Sequence, residues 1–444
     1  MRPFLLLFAI AACGDGQTNN PLPDSLPPPD TTPDSPEPPG VDDFSAAERA
    51  LLDQMTPLGA PPADPTNAVA DDPKAALLGQ MLFFDKSYSG VLAVGDDGTN
   101  GGVGQVGQAG KVSCASCHAV GSESLDDRRS KPGNVSLGTA LMGRNSLGMV
   151  NSSFYAWTNW GGRFDSQWSL PLAVAEGGAT MKSTRLQVVH LIADKYSAEY
   201  NAAFDDLPAE LSDATRFPAA GKPGDAAFDN MTADDKLAVN RIYSNYGKAL
   251  AAYMRTLVSG DAPFDRYIAG DKGAISTSAK RGLHLFLEHC TGCHAGKNFA
   301  DDRFHALGVP QTGPNVPATD LGRFTDIAPL LASPFNVNGV FSDDTTTGKL
   351  DDLAQDDAQR GQFRTKSLRN IAESGPYMHA GQLATLAEVV AFYNAGGGTV
   401  AGIVKDPLLE PLGLDAGKQT DLVEFLTTLT GKPIPAALVV DISK

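Results

Sequence analysis

The chain has 444 residues, 42% of them hydrophobic and 20% charged, with a formal net charge of −17 at pH 7. That length exceeds one ordinary core and predicts about two or three domains. The negative balance excludes a nucleic-acid binder and suits a basic partner.

At the start of the chain, Arg2 and the apolar run Phe4 to Ile10 form a stretch too short to span a bilayer, which reads as a targeting signal. It closes on Ile10-Ala11-Ala12-Cys13, which resembles a bacterial lipobox. Residues 1–12 are therefore expected to be a lipoprotein signal peptide and Cys13 the lipidated residue, the alternative being an ordinary secretory signal. Gly14 after the cysteine points to the outer membrane, with the protein on the periplasmic side and attached by its lipid anchor only. Residues 13–43 are rich in Pro and Asp, including Pro27-Pro28-Pro29 and Pro36-Glu37-Pro38-Pro39, and cannot bury a core; they read as a tether.

The remainder reads as mainly helical. Ser45 with Glu48 forms a capping box ahead of Leu51, Leu52 and Met55. Asp72-Pro73 opens a second helix through Leu77, Leu78, Met81 and Leu82. Gly95 to Gly110 is a glycine-rich loop; Gly102, Gly104 and Gly107 match a nucleotide-binding spacing, but no apolar strand precedes them. Thr232 and Asp235 start a long helix with Val239, Ile242, Tyr243, Tyr246, Leu250, Tyr253, Met254 and Leu257 at helical spacing. The stretch Asp261 to Gly273, with Pro263, is a candidate domain junction. Thr385 and Glu388 form a further box ahead of Leu386, Val389, Val390 and Tyr393.

Four of the five cysteines fall in two copies of one motif, Cys114-Ala115-Ser116-Cys117-His118 and Cys290-Thr291-Gly292-Cys293-His294. Cys-x-x-Cys-His is the signature for covalent attachment of c-type haem: two thioethers on one porphyrin edge, with the adjacent histidine on the iron. A Cys₄ zinc site or two disulfides would use the same cysteines, but neither requires a histidine after each pair. Two haem c groups are the expected cofactors, with His118 and His294 as iron ligands. By pattern alone, Tyr393 is a core tyrosine on an apolar helix face.

The chain resembles the bacterial di-haem cytochrome c peroxidases and their MauG-like relatives. The likeness is carried, in order, by both haem motifs, Arg144-Asn145-Ser146 with Asn151, Trp160-Gly161-Gly162-Arg163, Leu368-Arg369-Asn370 and Pro376-Tyr377-Met378-His379. It spans about Leu77 to Phe392 and beyond. The resemblance implies two cytochrome c-like helical domains, each with one covalent haem: a peroxidatic domain over 44–265 and an electron-transfer domain over 266–444. Hydrogen peroxide would react at the first haem and the second would relay electrons. The resemblance also implies Tyr393 as second ligand of the second haem, with Met378 as a rival, and Trp160 as an inter-haem relay. Asn145, Ser374 and the carbonyl of Pro376 match the family's calcium site. Arg163, Arg364 and Arg369 are candidates for the haem propionates. The reductant would be a small periplasmic cytochrome or a protein substrate.

Two departures stand out. No histidine lies between His118 and His190 to block the first haem. The glutamine and glutamate that the family places beside peroxide are Leu170 and Thr180 here, leaving Glu176 as the candidate acid–base residue. The alternative reading is therefore a non-catalytic di-haem electron-transfer cytochrome.

Overall fold

The computed structural model describes residues 40–96, 103–120 and 131–444. The calls on the signal peptide, on Cys13 and on most of the tether lie outside the described residues. From Asp42 onward the chain is one compact unit.

The architecture is mainly α. Its helices are α1 (Ala46–Met55), α2 (Pro73–Phe84), α3 (Ser169–Glu176), α4 (Arg185–Lys195), α5 (Ser197–Ala203), α6 (Ala226–Asp229), α7 (Ala233–Thr256), α8 (Pro263–Ile268), α9 (Thr277–His289), α10 (Arg323–Leu331), α11 (Leu386–Asn394) and α12 (Ala416–Thr427). Among the described residues, the sheet is one antiparallel pair, β1 (Phe304–His305) with β2 (Phe363–Arg364), in which Phe304 faces Arg364.

Local chemistry explains the helix starts. Ser45 and Glu48 exchange both bonds of a capping box. Asp72 caps α2 with Pro73 in its first turn, and the Thr232 hydroxyl accepts from the Asp235 amide at 3.1 Å. At α11 the Thr385 hydroxyl caps Glu388, but the Glu388 carboxylate reaches one residue further back than a box requires, to the Ala384 amide at 2.6 Å. Pro263, which suggested a break, begins α8, whose Phe264 and Tyr267 are buried.

Burial organises the molecule around two main apolar clusters. The first gathers α2, α3, α4 and the long α7, and also takes in Phe335 and Phe341. Gly79 and Gly247 let backbones meet here: a Cβ on Gly79 would collide with the Ala249 carbonyl, and one on Gly247 with that of Trp168. The second cluster joins α8, α9, α11 and α12. It also includes Leu52 and Met55 of α1, so the first helix packs with elements of the second half of the chain.

Candidate functional site

Each motif sits against its own core. Cys114 packs on the first cluster and Cys290 on the second. None of the four described cysteines is joined in a disulfide. They form no common group; the one metal-like cluster among the described residues is Cys293, Asp301 and His305.

The first motif folds as a single turn of 3₁₀ helix, Cys114–Ser116, opened by Ser113, whose amide donates to the Ser116 hydroxyl. The His118 amide returns to the Cys114 carbonyl at 3.0 Å. Burial, with the Cys117 thiol beside it, pushes Cys114 up to about 12. In the second motif α9 stops at Cys290, and the His294 amide donates to the Cys290 carbonyl at 2.9 Å. Burial likewise raises Cys290 to about 12 and lowers His294.

Both histidines are oriented alike. His118 Nδ1 lies 2.7 Å from the Leu147 carbonyl and His294 Nδ1 2.8 Å from that of Phe299. A carbonyl only accepts, so Nδ1 carries the proton and Nε2 keeps its lone pair, as a metal-bound imidazole requires. Tyr393, at the end of α11, has a phenol raised well above its ordinary value by burial and by the thiols of Cys293 and Cys290 beside it. The structure thus brings Tyr393 to the second motif.

Trp160, 7% exposed, belongs to neither main cluster, and its Nε1–H donates to the Asn145 carbonyl at 2.7 Å. The His379 ring meets it edge-on with centroids 6.5 Å apart and stacks on Phe363 at 4.0 Å. Burial holds His379 down at about 4, so it is neutral at pH 7. On the other side, Lys366 Nζ lies 5.5 Å from the Trp160 ring centroid and the Arg364 guanidinium 3.5 Å from that of Tyr155.

Buried polar atoms without a partner concentrate in this zone: Arg364 Nε, both side-chain polar atoms of Asn298, Thr365 Oγ1, Asp302 Oδ1 and Asn145 Oδ1. Such atoms are costly unless another group meets them. With two reduced cysteine pairs and two imidazoles presenting Nε2, the donor set fits covalently bound haem with its carboxylates nearby.

Sequence comparison agrees with the geometry. The family described as di-haem cytochrome c peroxidase matches residues 73–273. Cytochrome-c peroxidase IdrP1 of Denitromonas iodatirespirans is 34% identical over 396 residues, which are 87% of this chain and 90% of that protein. The chain belongs to the di-haem cytochrome c peroxidase family. It is an enzyme of that family. The methylamine utilization protein MauG of Methylorubrum extorquens is 36% identical over 192 residues, 43% of this chain and 45% of its own length. The crystal structure of the diheme peroxidase BthA from Burkholderia thailandensis shares the fold, with a TM-score of 0.57 at 21% identity over 87% of this chain and 94% of that one.

In this member of the family, the residues expected around peroxide are already engaged. Glu176, at the end of α3, is gripped by Arg185: Oε1 accepts from Nε at 2.9 Å and Oε2 from a terminal nitrogen at 3.0 Å. The Thr180 hydroxyl donates to the carbonyls of Val174 and Gly177, closing the turn after α3. Leu170 has no proton to give. Arg369 is committed to Asp265 (2.9 and 3.0 Å) and to the carbonyls of Met55 and Lys297, whereas Arg163 is exposed.

At the expected calcium position, Asn145 and Pro376 converge on Gly381, where a Cβ would press on both side chains. The Ser374 hydroxyl instead donates to the Ile371 carbonyl at 3.2 Å. The sequence reading passed over His305, Arg185 and the environment of His379, because their partners lie far away along the chain.

Proposed function

We propose that this enzyme takes hydrogen peroxide at the His118 haem and shares its oxidising equivalents, through Trp160, with a second haem held by His294 and Tyr393. The supporting observation is the Tyr393 phenol beside Cys290 and Cys293, joined to two imidazoles that present Nε2 from separate cores. Haem bound at the two motifs supplies the redox-active iron. The chain's own part is to fix the imidazoles by carbonyls and to bury the Cys114 and Cys290 sulfurs. It also keeps His379 neutral beside Trp160, so that this imidazole adds no positive charge opposing loss of an electron from the indole.

A phenolate ligand favours the higher oxidation states of iron, where a thioether would favour the reduced one. That preference, together with a first haem not blocked by histidine, favours a protein side chain as reductant over a small periplasmic cytochrome. The proposal extends to residues 44–265 and 266–444 as the two haem domains. It extends also to a calcium ion on Asn145 Oδ1 and the Pro376 carbonyl, with Ser374 nearby, and to lipidation at Cys13 that holds the body on the periplasmic side of the outer membrane.

One observation favours the second reading, an electron carrier without catalysis: Glu176 is paired with Arg185 and the Thr180 hydroxyl is spent on carbonyls. Stopped-flow absorbance after one equivalent of hydrogen peroxide separates the two. The proposal expects rapid change in the diferric protein, abolished in His118→Gly and retained at the first haem in Tyr393→Phe. An unreactive native protein would establish the carrier.

A further inference from the structure

Three segments distant in sequence meet on one side chain next to the second motif. His305, in β1, directs Nδ1 to Asp406 Oδ2 at 2.6 Å and Nε2 to Asp301 Oδ2 at 3.0 Å. Carboxylate oxygens only accept, so both ring nitrogens donate and the imidazole is the cation between two anions. The three side chains are 13–18% exposed.

Asp301 ties this group to the haem motif, since its amide donates to the Cys293 carbonyl at 2.9 Å. Asp406 ties it to the segment that follows Tyr393. The Asp406 amide donates to the Ala306 carbonyl at 2.9 Å and the Gly398 amide to that of Leu307 at 3.0 Å. The loop after α11 is thus laid along the residues after His305. Gly308 and Gly398 approach so closely that a Cβ on either would collide with the other's carbonyl.

The end of α11 needs such a hold. Its buried residues, Leu386 and Val390, lie in its first two turns. Tyr393 lies beyond them, and after Asn394 and Ala395 come Gly396 and Gly397, both at positive φ. Glycines in that conformation leave a chain free to swing unless something beyond them is fixed. The ionic contact of His305 with Asp406 fixes the far side of that loop, while Asn394 is tied to the backbone of Leu412 and Leu414.

We propose that His305 is a positioning residue for Tyr393: the Asp301–His305–Asp406 clasp locks the loop after α11 to the second haem motif and so holds the phenol in its ligating place. This rests on Tyr393 being a ligand of the second haem. The clasp acts through the backbone on either side of the haem and transfers neither electron nor proton.

The test uses the haem-loaded full chain with three variants, His305→Asn, Asp406→Asn and Tyr393→Phe. Each is read by electron paramagnetic resonance and electronic absorption of the second haem, with thioether attachment checked by mass spectrometry. The expected result is loss of the tyrosine-ligated signal in His305→Asn, toward the Tyr393→Phe spectrum, with both haems still attached and the first-haem signal native. Asp406→Asn, in a surface loop and harmless to the cores, should show the same loss in part, and Asp406→Glu should restore the signal. A native second-haem spectrum in both His305→Asn and Asp406→Asn, where Tyr393→Phe alters it, would overturn the clasp and leave the ligand standing. A native spectrum in Tyr393→Phe itself would overturn both.

Discussion

The two Cys-x-x-Cys-His motifs have identical spacing and are supported by different means. The first is a lone 3₁₀ turn leaning on the tyrosine-rich face of α7, its Cys114 next to Tyr88 and Tyr246. The second ends a 13-residue helix whose Leu283, Phe286 and Leu287 are buried, and it is then clasped by His305 and faced by Tyr393. Attachment needs only a turn and a carbonyl on each histidine, and both motifs have those. The difference is tertiary: Tyr393 and the Asp301–His305–Asp406 group stand beside the second motif. Around the first, the acid–base candidates are turned toward structural partners.

The comparison breaks most readily at Arg369. It joins α8 to the haem segment through a nearly fully buried pair with Asp265, the two side chains 1% and 7% exposed. Arg369→Ala strands that carboxylate and should cost about 3–5 kcal/mol. In chemical denaturation the second haem region should then unfold before the first; loss of both together would show that the cores are not separable.

A smaller effect is expected at Glu176. Glu176→Gln leaves Arg185 under-partnered and should cost about 1–3 kcal/mol, with the first haem's peroxide rate unchanged if the carboxylate is only structural. A fall of about 10²-fold or more in that rate would assign it the acid–base role and sharpen the contrast instead.

The mildest probe is pH. The Arg369 guanidinium, with Thr56 and the Ala262 amide, holds Asp265 below the usual carboxylate range despite burial. A depressed carboxyl contributes stability that is complete above its unfolded value, about 4, and is lost as pH falls through the folded one. Thermal unfolding followed below pH 4 should show the second haem's absorbance failing first, and Asp265→Asn should remove that pH dependence.

Local features were legible in the sequence because their causes are local. Ser45, Asp72, Thr232 and Thr385 act within four residues, and each cap is found where the sequence placed it. The haem motifs are legible for the same reason. The partners of buried charges are not: Asp406 lies 101 residues from His305, and Asp265 lies 104 from Arg369. Periodicity gave Leu52 and Met55 an apolar face on α1 without saying which core would receive it. Nor does a glutamate such as Glu176 carry any local mark of being paired rather than free.

The placement of α1 has a consequence for how the chain matures. Leu52 and Met55 find their neighbours in a cluster that includes Leu422, Phe425 and Leu429. A ribosome delivers that helix early, whereas Phe264 and Tyr267 of α8, Leu283 of α9 and Leu422 of α12 come much later, so α1 has nowhere to dock until more than half of the polypeptide has emerged. Contacts so distant in sequence are slow to close. The second core is therefore the late step of folding, sealed by the segment that was made first.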